Sequence, residues 1–168
     1  MLLKQEEPSL PPLDQERCVR IYAKGELLTM YMEQEGVRHG ECHILYPEGA
    51  LRVRMWYHRG QLHGTAQCFS KTGVLLSSTP YLYGRQVGVS CFFSLTGVLV
   101  AQLPYVDGVK QGEHIYFYDT GMRKSLLPYH NDRLHGIVEL WWPDGRLKRK
   151  THFIQGVQTG EDSVWAPD

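Results

Sequence analysis

Alanine is scarce in this chain, with five residues in 168 against seventeen glycines and ten tyrosines. That balance disfavours a helical protein, because alanine is the strongest helix former, glycine weakens helices, and tyrosine suits a pleated surface. Long apolar runs are missing as well. No segment approaches the roughly 18 uninterrupted apolar residues that a membrane-spanning helix needs. The N-terminal stretch Met-Leu-Leu-Lys-Gln-Glu-Glu-Pro carries acids and proline where a signal peptide would have its apolar core. Neither sign of charge prevails: eighteen Lys and Arg balance eighteen Asp and Glu, with nine of each sign in residues 1–84 and again in 85–168. Binding to nucleic acid by phosphate neutralisation is therefore not expected, and attraction to an anionic membrane is weak at best. The four cysteines, Cys18, Cys42, Cys68 and Cys91, form no CxxC pair. Reduced thiols and a cytoplasmic location are the expectation, although export without a signal peptide would leave no trace in these residues.

What the chain does have is a lattice. Its glycines fall at 25, 49, 73, 97, 121 and 145, at 36, 60, 84, 108 and 156, and at 40, 64, 88, 112, 136 and 160. All seventeen occupy three phases of one 24-residue period, and the single vacant point is Asp132. Aspartate tolerates a left-handed backbone, so that exception is chemically mild.

The residues between the glycines repeat too. Turn tripeptides such as Pro47-Glu48-Gly49 and Pro143-Asp144-Gly145 precede a leucine ladder at Leu27, Leu51, Leu75, Leu99 and Leu147, broken by Arg123. An aromatic ladder follows at Tyr57, Tyr81, Tyr105, Tyr129 and Phe153. A third, four positions before the turn glycine, runs Ile21, Leu45, Phe69, Phe93, Phe117, Trp141, Trp165. Each unit is thus expected to be a β-hairpin with a three-residue loop, pairing Tyr46 with Ala50 and Leu45 with Leu51. Strict alternation then predicts all three ladders on one sheet face. The Gly-x-x-x-Gly segments, such as Gly60-Gln-Leu-His-Gly64, are expected to turn between hairpins.

The pattern Gly64, Phe69, Gly73, Leu75, Tyr81, Gly84, Gly88 resembles the MORN repeat, and is most similar to the bacterial variant found in proteins described as antitoxin components. The resemblance covers residues 17–168 and leaves 1–16 as a flexible, proline-containing arm that could cover the first edge. Departures are Asp132, Arg123 and Glu33, the last standing where the first aromatic belongs. The family implies an elongated, single-layer, twisted antiparallel sheet of about six 24-residue hairpins, all-β, making protein or lipid contacts rather than catalysing a reaction. The chain ends after Trp165-Ala-Pro-Asp, in phase with a strand and a beginning turn.

Two surfaces are candidates for binding. On the strands entering the turns, the face opposite the ladders is expected to carry Ile44, Tyr46, Phe92, Tyr116, Tyr118, Leu140 and Trp142, and three of the four tryptophans lie in the last 28 residues. Tyr46, Tyr116, Tyr118, Trp142 and Trp165 are the candidate anchors for a protein partner, since aromatics dominate such anchors. A cationic stripe of Arg146, Lys148 and Lys150, which strict alternation would point one way, is the candidate for an acidic lipid or acidic protein segment. Arg54 would extend it at a distance. The third possibility is self-association into a homo-oligomer through open sheet edges.

No cofactor or metal is expected. His39, His63 and His135 share one phase, but same-phase residues lie two strands apart, roughly 9.6 Å, too far for an easy shared zinc site. No Walker A loop, Gly-x-Ser-x-Gly elbow or HExxH segment occurs. The expected role is a non-enzymatic scaffold for protein–protein interaction, with antitoxin-like neutralisation the form that the resemblance implies.

Overall fold

The computed structural model describes residues 3–5 and 16–166, with side chains for 16–166. Every described element is a β-strand. Most of the arm expected over residues 1–16 lies outside the described residues. The chain divides into two units, residues 1–85 and 86–168.

The first unit is an antiparallel meander of β1 (Leu3–Gln5), β2 (Arg17–Ala23), β3 (Glu26–Gln34), β4 (Val37–Leu45), β5 (Leu51–His58), β6 (Gln61–Leu62), β7 (Gly64–Phe69) and β8 (Leu75–Leu82). A two-residue strand, β9 (Arg85–Gln86), marks the division. The second unit repeats the scheme with β10 (Gly88–Phe93), β11 (Leu99–Val106), β12 (Val109–Lys110), β13 (Gly112–Phe117), β14 (Arg123–His130), β15 (Arg133–Leu134), β16 (Gly136–Trp141), β17 (Leu147–Ile154), β18 (Val157–Gln158) and β19 (Ser163–Val164).

The hairpin loops form as the turn residues dictate. Tyr46 N–H donates to the Ala50 carbonyl at 2.8 Å, Gly49 N–H donates to the Tyr46 carbonyl at 2.9 Å, and Gly49 adopts φ 85°. Leu45 sits opposite Leu51. The first hairpin differs, with a two-residue turn at Lys24-Gly25, both at positive φ, which sets Tyr22 rather than Ile21 opposite Leu27. Glu33 stands in the aromatic ladder and pairs with Arg17 at 2.8 Å.

The shared face expected for the three ladders does not form. One residue past each loop the register slips: Leu45 faces Leu51, but Ile44 faces Val53, leaving Arg52 unpaired. The same bulge recurs at Leu76, Val100, Lys124 and Lys148. One extra residue reverses alternation for the rest of the strand. The leucine ladder therefore shares its face with Leu45, Phe69, Phe93, Phe117 and Trp141, while the tyrosine ladder lies on the other.

That tyrosine face holds the buried positions. Cys42, Ser90, Ala101, His114, Ser125 and Thr151 are all buried there. Each ladder ring stands directly across from a glycine: Tyr57 from Gly40, Tyr81 from Gly64, Tyr105 from Gly88, Tyr129 from Gly112 and Phe153 from Gly136. A ring laid over a bare glycine regains the packing that glycine itself cannot supply.

The Gly-x-x-x-Gly segments begin with two-residue turns in which both residues have positive φ, as at Arg59-Gly60. Asp132 occupies the glycine place of one such turn at φ 63°. It replaces the lost freedom with a bond, its Oδ1 accepting from Lys110 N–H at 2.8 Å.

Candidate functional site

The residue just before each hairpin loop occupies one lattice phase: Tyr46, Ser70, Ser94, Tyr118 and Trp142. Serine and tyrosine give two different local solutions there. Where it is serine, the hydroxyl closes its own turn: Ser70 Oγ accepts from Thr72 and Val74 N–H at 3.2 and 3.0 Å, and Ser94 Oγ from Thr96 and Val98 N–H at 3.3 and 3.2 Å. Where it is tyrosine, the hydroxyl reaches into the next repeat. Tyr46 Oη donates to the Phe69 carbonyl at 2.9 Å, and Tyr118 Oη donates to the Trp141 carbonyl at 2.8 Å.

The bulge residue six positions later follows this choice. Opposite the aromatic residues it is a cation that lies over the ring: Arg52 at 5.7 Å from Tyr46, Lys124 at 5.6 Å from Tyr118 and Lys148 at 4.1 Å from Trp142. Opposite the serines it is Leu76 or Val100. Such stacked cations stabilise the ring position by their attraction to the π face. The pairing of residue type at these two phases was present in the sequence, and only the bulge makes its meaning visible.

Tyr46 and Tyr118, two of the candidate anchors, thus brace neighbouring repeats with their hydroxyls. Tyr118→Phe keeps the ring and its lysine but loses the bond, and is expected to lower the urea stability of the second unit by about 1 kcal/mol. An unchanged urea midpoint would remove the brace. Tyr116 is 36 % exposed and pairs with Ala101 on one side and Ser125 on the other. Trp165 is 42 % exposed, its N–H donating to the Lys148 carbonyl at 3.0 Å.

The cationic stripe is not one surface. Because Lys148 is the bulge residue, Lys148 and Lys150 do not share the side that strict alternation assigned them. Lys148 lies over Trp142, Lys150 pairs with Glu139 at 2.6 Å across the strand, and Arg146 pairs with Asp144 at 2.9 Å in the turn. Between them Arg149 binds Asp162, whose other oxygen accepts from Thr151 Oγ1 at 2.6 Å. Thr151 first, then Arg149, holds the Asp162 carboxyl below its usual range. Arg54 is engaged with Gln67 Oε1 at 2.7 Å.

Among the described residues no group of three His, Cys, Asp or Glu is placed to hold a metal ion. Burial pushes the Cys42 thiol up, with Arg38 opposing it in part, so that thiol is poorly suited to act as a nucleophile. The histidines are nevertheless closer together than their shared phase implied. His58, from a different phase, sits between His39 and His63 with ring centroids 5.1 and 5.6 Å away. His114, which sequence reasoning passed over, is the most enclosed of all at 1 % exposure, between Tyr105 and Tyr129.

The hairpin, bulge and glycine turn of the second unit repeat with a spacing that a known family model also describes. Residues 110–131 and 134–155 match the MORN repeat variant. Their starts lie one 24-residue period apart, so the MORN-variant windows coincide with two successive repeats of the lattice. Each window runs from the strand after a glycine turn, through a hairpin, to the next such turn. No curated protein matches the chain. Among the described residues no helix is long and apolar enough to cross a membrane.

Proposed function

We propose that this chain is a non-enzymatic repeat scaffold that binds a protein partner, with the tyrosine face of the second unit as the contact surface. The observation that carries this reading is the placement of Tyr116, Tyr118 and Trp142 on one side of successive hairpins, with Lys124 and Lys148 over the latter two rings. Rings held rigid by their own repeats offer contact area at little entropic cost, and the adjoining lysines suit a partner segment with carboxylates among its apolar residues. Exposed Tyr116 is the anchor on this face, whereas Trp165, in the ladder phase of Trp141, lies on the leucine face. Antitoxin-like neutralisation is the finer form of this reading, in which the partner is a toxic protein held on that face.

The test is affinity capture from native lysate with wild type and with Tyr116→Ala, each checked for an unchanged circular-dichroism spectrum. One protein enriched by wild type and lost by the folded variant is the expected result. Equal recovery by both, or no enrichment at all, sinks the reading. Docking on acidic lipid through Arg146, Lys148 and Lys150 would instead draw on cations that already have partners. Co-sedimentation with anionic vesicles at low salt is accordingly expected to show no gain over neutral vesicles, and a clear gain would favour the lipid.

A further inference from the structure

Three histidines meet on the leucine face of the first unit. Gly40 on β4 pairs with Tyr57 on β5, which places His39 beside His58. Tyr57 pairs in turn with Leu62 on β6, and His63 N–H donates to the Trp56 carbonyl at 2.9 Å, which places His63 on the far side of His58. The rings form a row across three neighbouring chain segments, 5.1 and 5.6 Å between centroids, closed at one end by Tyr83 at 5.0 Å from His63. All three histidines are half-buried.

Among the described residues the charges that act on His58 are those of His39, Arg59 and His63, with no carboxylate among them. Arg59 follows it directly in the turn, and its positive charge faces the same shallow depression as Glu35, Gln34, Val37 and His39. On β4 the nearest acid of that face is Glu41, which is occupied with His43 at 2.8 Å. On β5 the next charge of that face is Arg54, bonded to Gln67 of β7. From the β8–β9 turn comes the neutral phenol of Tyr83. His63 Nδ1 is itself buried with no hydrogen-bond partner among the described residues.

We propose that the His39–His58–His63 row is an acid-operated release for the Arg59-Gly60 turn. With the rings neutral, they pack at tilts of 55° and 49° and hold β4, β5 and β6 together. Proton uptake by His58 places its charge directly beside Arg59 and between two rings about 5 Å away, whereas an opened turn would give the ring to water. Partial desolvation first, then the charges of His39, Arg59 and His63, hold His58 below the usual imidazole range. The sign follows from that direction: a depressed folded value means stability is intact above about pH 6.5 and is lost as pH falls toward the folded value. His58 is a positioning residue for the turn, and Gly60 N–H, which donates to the Arg38 carbonyl at 2.8 Å, reports the opening.

Residue-resolved hydrogen exchange on the full chain, corrected for intrinsic rates, tests this between about pH 7.5 and about pH 5. Protection at Arg59, Gly60 and Gln61 is expected to fall about tenfold more in wild type than in His58→Gln. An equal fall in both, or none in wild type, overturns the proposal. Should His58→Gln fail to fold, a proton-resonance titration of His58 decides. Its midpoint is expected below about 6.5 in wild type and higher in His39→Gln, which removes one neighbour. A wild-type midpoint at or above about 6.5, or no rise in His39→Gln, overturns it equally.

Discussion

His114→Ala is expected to destabilise the second unit by about 3 kcal/mol, through a cavity left between two rings and a lost hydrogen bond. The imidazole is 1 % exposed, with ring centroids 5.4 Å from Tyr105 and 4.7 Å from Tyr129. Its Nε2 lies 2.9 Å from the Pro104 carbonyl oxygen, which can only accept, so the proton is on Nε2. Removing the ring empties the space beneath Tyr129 and leaves that carbonyl with only the 3.3 Å bond from Gln111 N–H. Desolvation is the main reason its imidazole stays below the ordinary range, opposed by the bond to Pro104, with Lys110 and Asp132 acting in opposite directions. The neutral ring is therefore the folded form. Stability from this source is complete above about pH 6.5 and falls as pH drops through the depressed folded value. Urea midpoints for wild type and His114→Leu, which cannot titrate, provide the check. Wild type is expected to lose more stability than the variant on going from about pH 7.5 to about pH 5. Equal losses would show that His114 is not a source of the acid sensitivity.

The second large effect is at Gly136. Its φ of 118° lies outside even the left-handed region that asparagine or aspartate visit, and an added Cβ would meet Pro128 Cγ at 3.1 Å and Pro128 Cβ at 3.4 Å. Proline is a rigid neighbour that cannot rotate away. Gly136→Ala is expected to cost about 2–3 kcal/mol from the combined backbone strain and contact. Gly121 is the control, at φ 83° with nothing within 4 Å of its added Cβ. Gly121→Ala is expected to cost about 1 kcal/mol, from backbone strain alone. Thermal or urea unfolding of the pair measures the difference, and equal costs would mean that the Pro128 contact relaxes freely.

These two positions illustrate how far the sequence could be read. The glycine period placed Gly136 and Gly121 in their turns and strand starts, and the Tyr46–Ala50 and Leu45–Leu51 pairs followed from loop chemistry alone. Asp132 was legible for the same reason, since a left-handed backbone is a local property. The faces were not. Parity counting carries an error forward, so the single unpaired Arg52 turned Tyr57 to the side opposite Leu51, and Lys148 broke the stripe expected from Arg146 to Lys150. The histidine row was hidden by a related simplification. Comparing residues of equal phase measures distances across two strands, whereas His39 and His58 belong to different phases and meet across one. The exposed and bracing aromatics were legible as residue types, but not the hydroxyl bonds of Tyr46 and Tyr118, because their acceptors lie 23 residues away along the chain.

The choice between serine and tyrosine before the loops also bears on how neighbouring repeats are coupled. A repeat array behaves as a line of nearest-neighbour couplings, and its cooperativity is only as long as the links that carry it. The Tyr46 hydroxyl ties its hairpin to β7 and the Tyr118 hydroxyl ties its hairpin to β16, so each bond couples two repeats of its own unit. The serine turn at Ser94 spends its hydroxyl on itself and sends no such bond to the next hairpin of its unit. Within the second unit, then, the Tyr118 hairpin is clutched to its neighbour by a bond that the Ser94 hairpin does not make, and a rise in temperature is expected to loosen the Ser94 hairpin first.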